Sequence, residues 1–125
     1  MEIGTKVTLI VLVIIFIAAV FIIFSPKEEQ GPGQYDEFAK CLSNEGTKVY
    51  GAYWCPHCKD QKELFGNSWQ YIEYIECSLP AGAGQKQVCK DAGINAYPTW
   101  EFKDGERRTG ELSFEELSEK TNCEL

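Results

Sequence analysis

The sequence predicts an α/β domain with a mixed sheet, preceded by a single N-terminal transmembrane helix. The first observation is an apolar run of eighteen residues, Val7 to Phe24, in which only Thr8 is polar. At about 1.5 Å per residue this run nearly crosses a hydrocarbon core of about 30 Å. The second observation is the order of patterns from residue 35 onward: helix, strand, helix, strand, helix, strand, strand, helix. Crossover helices between the early strands and a hairpin at the end predict a mixed sheet.

The chain of 125 residues has room for one folded domain after this helix. The predicted organisation is a transmembrane anchor at 1–24, a linker at 25–34 and an α/β domain at 35–125. The linker sequence, SPKEEQGPGQ, is polar, contains Gly and Pro, and has no apolar periodicity. We expect the anchor to be retained, because Phe24-Ser25-Pro26 is a poor cleavage site for a signal peptide.

The charges and cysteines limit the compartment and the function class. One lysine lies on each side of the apolar run, Lys6 and Lys27, so the positive-inside rule does not fix the orientation. All six cysteines follow the run, and an even number in a small domain is typical of disulfides outside the cytosol. We therefore predict a single-pass membrane protein with its domain on the extracytoplasmic side. The net charge of −7 argues against nucleic-acid binding.

The first half of the domain contains three predicted elements. Tyr35, Phe38, Ala39 and Leu42 form one apolar helical face, which ends near Gly46. The apolar, aromatic-rich segment KVYGAYW, residues 48 to 54, predicts a buried central strand. The next helix begins with Pro at its first position, where the missing N–H costs nothing, and it stops before the Gly at position 66.

The second half contains the remaining five elements. The segment at 71–77 predicts a strand, and that at 85–92 a short helix. Strands at 99–102 and 107–110 flank Asp104-Gly105, a pair that favours a two-residue hairpin turn. Ser113 and Glu116 form a capping box that starts the last helix.

The motif Trp54-Cys55-Pro56-His57-Cys58 follows a predicted strand and opens a predicted helix. A thiolate at a helix N-terminus faces unsatisfied N–H groups and the positive end of the helix dipole. His57 adds a group that can be protonated and can donate a hydrogen bond. We therefore predict Cys55 as the nucleophile, Cys58 as the less accessible resolving cysteine and His57 as a catalytic neighbour. Stabilising the reduced form makes the disulfide a better oxidant.

A second element, Tyr97-Pro98, lies about forty residues downstream and just before a predicted strand. A cis peptide bond here places this turn beside the C-x-x-C pair and leaves backbone groups of residue 97 available to an extended substrate. We predict that Trp54, Pro56, Tyr97 and Pro98 bind the substrate.

These residues resemble the thioredoxin superfamily, and the CPHC tetrapeptide resembles that of the bacterial thiol oxidase DsbA. A closer resemblance is to the thioredoxin-like domain associated with bacterial and plant homologues of vitamin K epoxide reductase. The matching segments are FAKCL, KVYGAYWCPHCKDQKELFG, YIEC, QVCKDAGI and YPTWEF. The resemblance implies a thioredoxin-like fold that exchanges electrons with a quinone-linked membrane partner. It also implies that Cys55–Cys58 is the redox pair and Cys77–Cys89 a second pair.

Two features depart from the families that the sequence resembles. The sequence has one apolar segment and no four-helix catalytic bundle, so the quinone-linked partner is expected to be a separate chain. Val49 stands where cytosolic thioredoxins carry a buried acid. The missing proton acceptor favours an oxidase over a reductase.

The remaining cysteines have more than one interpretation. Cys77 and Cys89 enclose a loop of about a dozen residues, and a structural disulfide there stabilises by about 3 kcal/mol. The alternative is a relay that passes electrons to the active pair. Cys41 and Cys123 could pair, remain free or link two chains, because their helices could lie on opposite faces of the sheet. A zinc site is disfavoured, because no second ligand cluster accompanies His57 and the C-x-x-C pair.

The sequence therefore predicts a membrane-anchored thiol–disulfide oxidoreductase that oxidises cysteines of extracytoplasmic proteins and needs no cofactor beyond its own cysteines. An outward-facing reductase or isomerase is the alternative within the enzyme class. A non-catalytic adaptor that binds a membrane partner is the alternative from another class.

Overall fold

The computed structural model describes residues 2–24 and 31–125. Most of the predicted linker, residues 25 to 30, lies outside the described residues. Within these two ranges the α-helices are α1 (Glu2–Phe24), α2 (Asp36–Asn44), α3 (Pro56–Phe65), α4 (Gln87–Asp91) and α5 (Phe114–Thr121). The four strands are β1 (Lys48–Gly51), β2 (Glu73–Glu76), β3 (Thr99–Glu101) and β4 (Arg107–Thr109). Short 3₁₀ helices cover Gly66–Tyr71 and Pro80–Gly82.

The four strands form one mixed sheet in the order β2-β1-β3-β4. Strand β1 pairs parallel with β2 and antiparallel with β3, and β3 pairs antiparallel with β4. This arrangement confirms the predicted α/β class and mixed sheet, with helices flanking the strands. The carboxyl end of β1 leads directly into the segment that carries the C-x-x-C motif.

The core divides between the two faces of the sheet. Val49 and Tyr50 are neighbours on β1, so their side chains point to opposite faces. Val49 belongs to the larger cluster, which also contains buried residues of α2, α3 and α5 together with Trp100 of β3. Tyr50 belongs to the smaller cluster with Cys77, Cys89 and Ile94, beside α4. Helices α2 and α5 therefore lie on the same face of the sheet.

Helix α1 is the one helix within residues 2–24 and 31–125 that is long and apolar enough to cross a membrane. Its candidate span is Ile3–Phe24, and none of that span is buried against the rest of the protein. This length and composition agree with the predicted anchor.

Two elements differ from the prediction. Strand β1 ends at Gly51 rather than at residue 54, because the chain turns after Ala52 so that the Cys55 N–H bonds the Ala52 carbonyl at 3.0 Å. The β3–β4 hairpin has a three-residue loop, in which Phe102 and Glu106 are hydrogen bonded and Gly105 has φ +82°. A glycine at that third position fits this longer loop, so the prediction of a two-residue turn is wrong.

The predicted start of α5 is confirmed. The Ser113 hydroxyl accepts from the Glu116 N–H, and the Glu116 carboxylate accepts from the Ser113 N–H. Leu112 and Leu117, which flank this box, are both buried in the larger cluster. Helix α5 thereby has a fixed start against the sheet.

Helix α3 is held on the sheet by a buried amide, Gln61, one turn after Cys58. The Gln61 side chain is 1% exposed. Its oxygen accepts from the Leu112 N–H at 2.7 Å and from the Trp100 indole N–H at 3.3 Å, and its NH₂ donates to the Leu112 carbonyl at 3.1 Å. One side chain thus joins α3 to β3 and to the segment before α5.

We expect Gln61→Met to lower the free energy of unfolding by about 3 kcal/mol, because the buried polar groups of Leu112 and Trp100 lose their partners. Urea unfolding of the full chain in detergent micelles, followed by near-ultraviolet circular dichroism, measures this loss. Gln87→Met is the matched control, since Gln87 is exposed and its side chain donates to the exposed Asp91. Equal stability of the two variants would contradict the anchoring role of Gln61.

Candidate functional site

Cys55 is the residue that caps the N-terminus of α3, with Pro56 at the first helical position. Its backbone is extended, and no side chain caps this helix by a hydrogen bond. The first N–H groups of a helix have no partner within the helix. A thiolate on Cys55 would stand where these N–H groups and the helix dipole favour negative charge.

Cys58 lies one turn further along α3 and is the more deeply buried of the two free cysteines. Cys58 is 2% exposed and Cys55 is 6% exposed. Burial raises the pKa of the Cys58 thiol to about 11, and the neighbouring Cys55 adds to this rise, whereas the Ala52 N–H and Lys62 oppose it. Cys58 is therefore a protonated thiol at neutral pH, shielded from solvent.

The Tyr97–Pro98 peptide bond is cis, as the sequence predicts. This turn lies beside the cysteines, since the Cys55 thiol donates to the Tyr97 carbonyl over 3.7 Å. Among the described residues, no group accepts a hydrogen bond from the Tyr97 N–H. The Tyr97 hydroxyl accepts from the Gln85 amide at 2.7 Å, which holds its ring in place.

Trp54 packs against Tyr97 and forms part of the surface around Cys55. Its ring meets the Tyr97 ring edge to face, with 6.0 Å between centroids, and its indole N–H donates to the Ser78 hydroxyl at 2.9 Å. Trp54 is nevertheless 51% exposed, and Pro56 is exposed as well. The site thus offers a partly apolar surface around a sulfur atom.

His57 lies on the exposed side of the site, with 69% of its side chain accessible. Its Nδ1 is 2.6 Å from Glu111 Oε1, so the imidazole is oriented by a carboxylate. Among the described contacts of Cys55, the sulfur meets the Tyr97 carbonyl and not the imidazole. The Nδ1 atom of His57 is therefore directed at Glu111 rather than at the Cys55 sulfur.

The other four cysteines form two disulfide bonds. Cys77 bonds Cys89 across a sequence separation of 12, beside the smaller core cluster. Cys41 bonds Cys123 across a separation of 82, which joins α2 to the end of α5. The sequence alone leaves the pairing of Cys41 with Cys123 open, because their helices could lie on opposite faces of the sheet. The larger core cluster places both helices on the same face, which allows the bond.

Within the described ranges, one group of three side chains could offer ligand atoms to a metal ion. These are His57, Asp60 and Glu111, whose ligand atoms all lie within 4.8 Å of one another. All three residues are exposed, and the group does not include the cysteines. Exposed groups of this kind are common without an ion, so they carry no argument for a metal here.

The sequence motifs do not predict three of the residues at the site. Glu111 meets His57 from 54 positions away. On the neighbouring strand β2, Tyr74 borders the same space as Cys58, and Glu76 accepts a hydrogen bond from the Tyr74 hydroxyl. Parallel pairing of β1 with β2 brings them there, and short-range spacing does not reveal this register.

The arrangement has the parts that thiol–disulfide exchange requires. Cys55 is the outer thiol at a helix start, and Cys58 is an inner thiol close enough to resolve a mixed disulfide. The backbone at Tyr97 and the ring of Trp54 border the outer sulfur.

No family model matches the chain. The chain is 42% identical over 92 residues to "Thiol-disulfide oxidoreductase LTO1" of Arabidopsis thaliana. This similarity supports a thiol–disulfide oxidoreductase-like family. The alignment covers 70% of this chain and 24% of the relative, so the chain spans about a quarter of the relative's length. The similarity supports an oxidoreductase role for the chain, in agreement with the prediction from the C-x-x-C motif.

Proposed function

We propose that this chain is a membrane-anchored thiol–disulfide oxidoreductase with a thioredoxin-like fold, which oxidises cysteines of extracytoplasmic proteins. The observation that carries the proposal is the position of Cys55, a free cysteine at the start of α3, beside the buried Cys58 and the cis Tyr97–Pro98 bond. The similarity to a named thiol–disulfide oxidoreductase and the mixed, helix-flanked sheet support it.

In the oxidising direction the site begins as the Cys55–Cys58 disulfide. A substrate thiolate attacks the Cys55 sulfur, a bond forms between them, and Cys58 leaves with the electron pair of the broken S–S bond. A second substrate thiolate then attacks the substrate sulfur of this mixed disulfide, the bond from that sulfur to Cys55 breaks, and Cys55 leaves with its electron pair. The substrate leaves with a disulfide, and Cys55 and Cys58 hold the two electrons as thiols.

Substrate binding is proposed to use the backbone at Tyr97 and the exposed surface of Trp54 and Pro56. An extended peptide can pair with the Tyr97 N–H, which has no acceptor within residues 2–24 and 31–125, while its cysteine approaches the Cys55 sulfur. Backbone pairing does not depend on side-chain identity, so this mode suits a protein that acts on many unfolded or partly folded clients. Pro98 is buried and fixes the turn rather than touching the client.

Reoxidation of the dithiol is proposed to occur through a quinone-linked membrane protein homologous to vitamin K epoxide reductase. Helix α1 would hold the domain at the membrane surface, where such a partner presents its cysteines. The position of Cys55 at the start of α3 favours the reduced thiolate form and thus an oxidising disulfide.

The reduction potential of the Cys55–Cys58 pair tests the direction of this exchange. We expect a value between about −180 mV and about −120 mV, the potentials of protein disulfide isomerase and DsbA. Equilibration of the full chain in detergent micelles with glutathione buffers, followed by alkylation and mass spectrometry, measures it. A potential near about −270 mV, as in cytosolic thioredoxin, would assign the outward-facing reductase instead.

Two controls accompany this measurement. A Cys55→Ala, Cys58→Ala variant shows which alkylation signals come from other cysteines, because the remaining four are in disulfides. Oxidation of a reduced two-cysteine peptide by the oxidised chain then shows that the pair transfers its disulfide. Failure of that transfer at any potential would favour the non-catalytic adaptor.

A further inference from the structure

The inner cysteine, Cys58, lies against side chains of β2 across a glycine. Gly51 ends β1, where it pairs with Glu76 of β2. A Cβ atom on Gly51 would lie 2.7 Å from the Tyr74 hydroxyl oxygen and 3.0 Å from Cys58 Sγ. The hydroxyl and the thiol therefore border the same small space, and their separation is less than the sum of these two distances.

The Tyr74 hydroxyl is itself bonded to a carboxylate. It donates to Glu76 Oε2 at 3.0 Å, while Glu76 Oε1 accepts from the backbone N–H groups of Tyr53 and Ser78 at 3.2 and 2.8 Å. Burial raises the pKa of Tyr74, and the hydrogen bond to Glu76 raises it further, so Tyr74 remains a neutral phenol. The Glu76 side chain is partly exposed and can exchange a proton with water.

Cys58 must change its protonation state in every exchange cycle. A buried thiol has to lose its proton before it attacks a mixed disulfide on Cys55, and it has to gain one when it leaves as a thiolate. The titratable or charged groups that border it are Cys55, Lys62 and Tyr74, and the Tyr74 hydroxyl connects this space to Glu76. Lys62 stabilises the thiolate by charge, but its ammonium group has no lone pair with which to accept a proton.

We propose that Tyr74 and Glu76 form a proton relay for Cys58. The Tyr74 oxygen takes the proton from Cys58 Sγ while the phenol proton passes to Glu76 Oε2, and Glu76 then releases a proton to water. The Cys58 sulfur attacks Cys55 Sγ, the bond from Cys55 to the partner sulfur breaks, and the partner leaves as a thiolate. In the opposite direction the same atoms return a proton to the departing Cys58.

Tyr74 and Cys58 are close but not directly hydrogen bonded. The proton therefore passes through one water molecule or after a small rotation of the Cys58 side chain. The glycine at position 51 keeps this path open, because a Cβ there would fill the space between the two groups. This inference rests on the disulfide exchange proposed above.

Stopped-flow reaction of the reduced full chain with Ellman's reagent, in detergent micelles, tests the relay. The first thionitrobenzoate released reports attack by Cys55, and the second reports attack by Cys58 on the mixed disulfide. Tyr74→Phe keeps the ring, which lies 4.0 Å from the Lys62 ammonium group, and removes only the hydroxyl. Glu76→Gln keeps an oxygen that can accept from Tyr53 and Ser78. Tyr71→Phe and Glu73→Gln are matched controls from the same segment.

We expect both relay variants to slow the second phase at least about tenfold at pH 6 and to leave the first phase unchanged. The rate of their second phase should rise about tenfold per pH unit, because only hydroxide then ionises Cys58, whereas the wild-type rate should rise less steeply. The double variant should be no slower than the slower single variant, since the two residues act in series. The control variants should match the wild type.

Two results would overturn the relay. One is a second phase whose rate and pH dependence are unchanged in both variants, with a normal first phase, which leaves the exchange proposal intact. The other is an equal slowing of both phases, which shows a general disturbance of the site. If wild-type Cys55 gives no first phase at all, the proposed function itself fails.

Discussion

A Cys58→Ala variant is expected to accumulate stable mixed disulfides through Cys55 and to lose more than about a thousandfold in turnover. The physical reason is the absence of a second nearby nucleophile. Cys58 is the buried thiol next to Cys55, and the other four cysteines are held in disulfides. A client or partner that attaches to Cys55 therefore stays attached.

The trapped species are measured in membranes by rapid alkylation, non-reducing electrophoresis and mass spectrometry of the adducts. We expect two classes of adduct: extracytoplasmic clients and a quinone-linked membrane protein. A Cys55→Ala, Cys58→Ala variant is the matched control and should give none of them. Adducts that survive in this control would come from another cysteine and would contradict the assignment of Cys55.

The same experiment separates the enzyme from the adaptor. An adaptor binds its partner without a covalent step, so Cys58→Ala would give no adduct while partner binding persists. An adaptor would also retain its biological effect after Cys55→Ala. An enzyme would form adducts in Cys58→Ala and lose its biological effect in Cys55→Ala, because each turnover passes through a bond to the Cys55 sulfur.

Local sequence patterns predicted those parts of the fold that depend on neighbouring residues. The Pro after Cys55 fixed the start of α3, and the Ser113–Glu116 spacing fixed the start of α5. The cis bond before Pro98 followed from the combination of a downstream X-Pro step and the upstream C-x-x-C motif. In each case a residue type with a strong conformational or hydrogen-bonding preference determines the backbone at or next to its own position.

The features that escaped prediction depend on long-range register. Glu111 reaches His57 only because α3 and the segment after β4 lie side by side, and Tyr74 reaches Cys58 only through the pairing of β1 with β2. A single sequence does not reveal that Glu111 lies near His57 or that Tyr74 lies near Cys58. The hairpin loop was predicted one residue too short for a different reason: an Asp-Gly pair suits both a two-residue turn and the last two positions of a three-residue loop.

The second large effect concerns the Cys41–Cys123 disulfide. We expect Cys41→Ala combined with Cys123→Ala to lower the free energy of unfolding by about 4 kcal/mol. In the chain-entropy model, the cost that a cross-link imposes on the unfolded chain grows with loop length, and this bond has a sequence separation of 82. The Cys77–Cys89 bond has a separation of 12, so its removal should cost less, about 3 kcal/mol.

Urea unfolding of both double variants and the wild type, without reductant and in detergent micelles, measures these losses. The reduction potential of Cys55–Cys58 should stay at the wild-type value in the Cys41, Cys123 variant, because that bond joins α2 to the end of α5 and does not touch the redox pair. Unchanged stability would mean that Cys41 and Cys123 are free or link two chains. For Cys77 and Cys89, reoxidation at the wild-type rate indicates a structural bond, whereas lost reoxidation in a stable, folded variant indicates the electron relay.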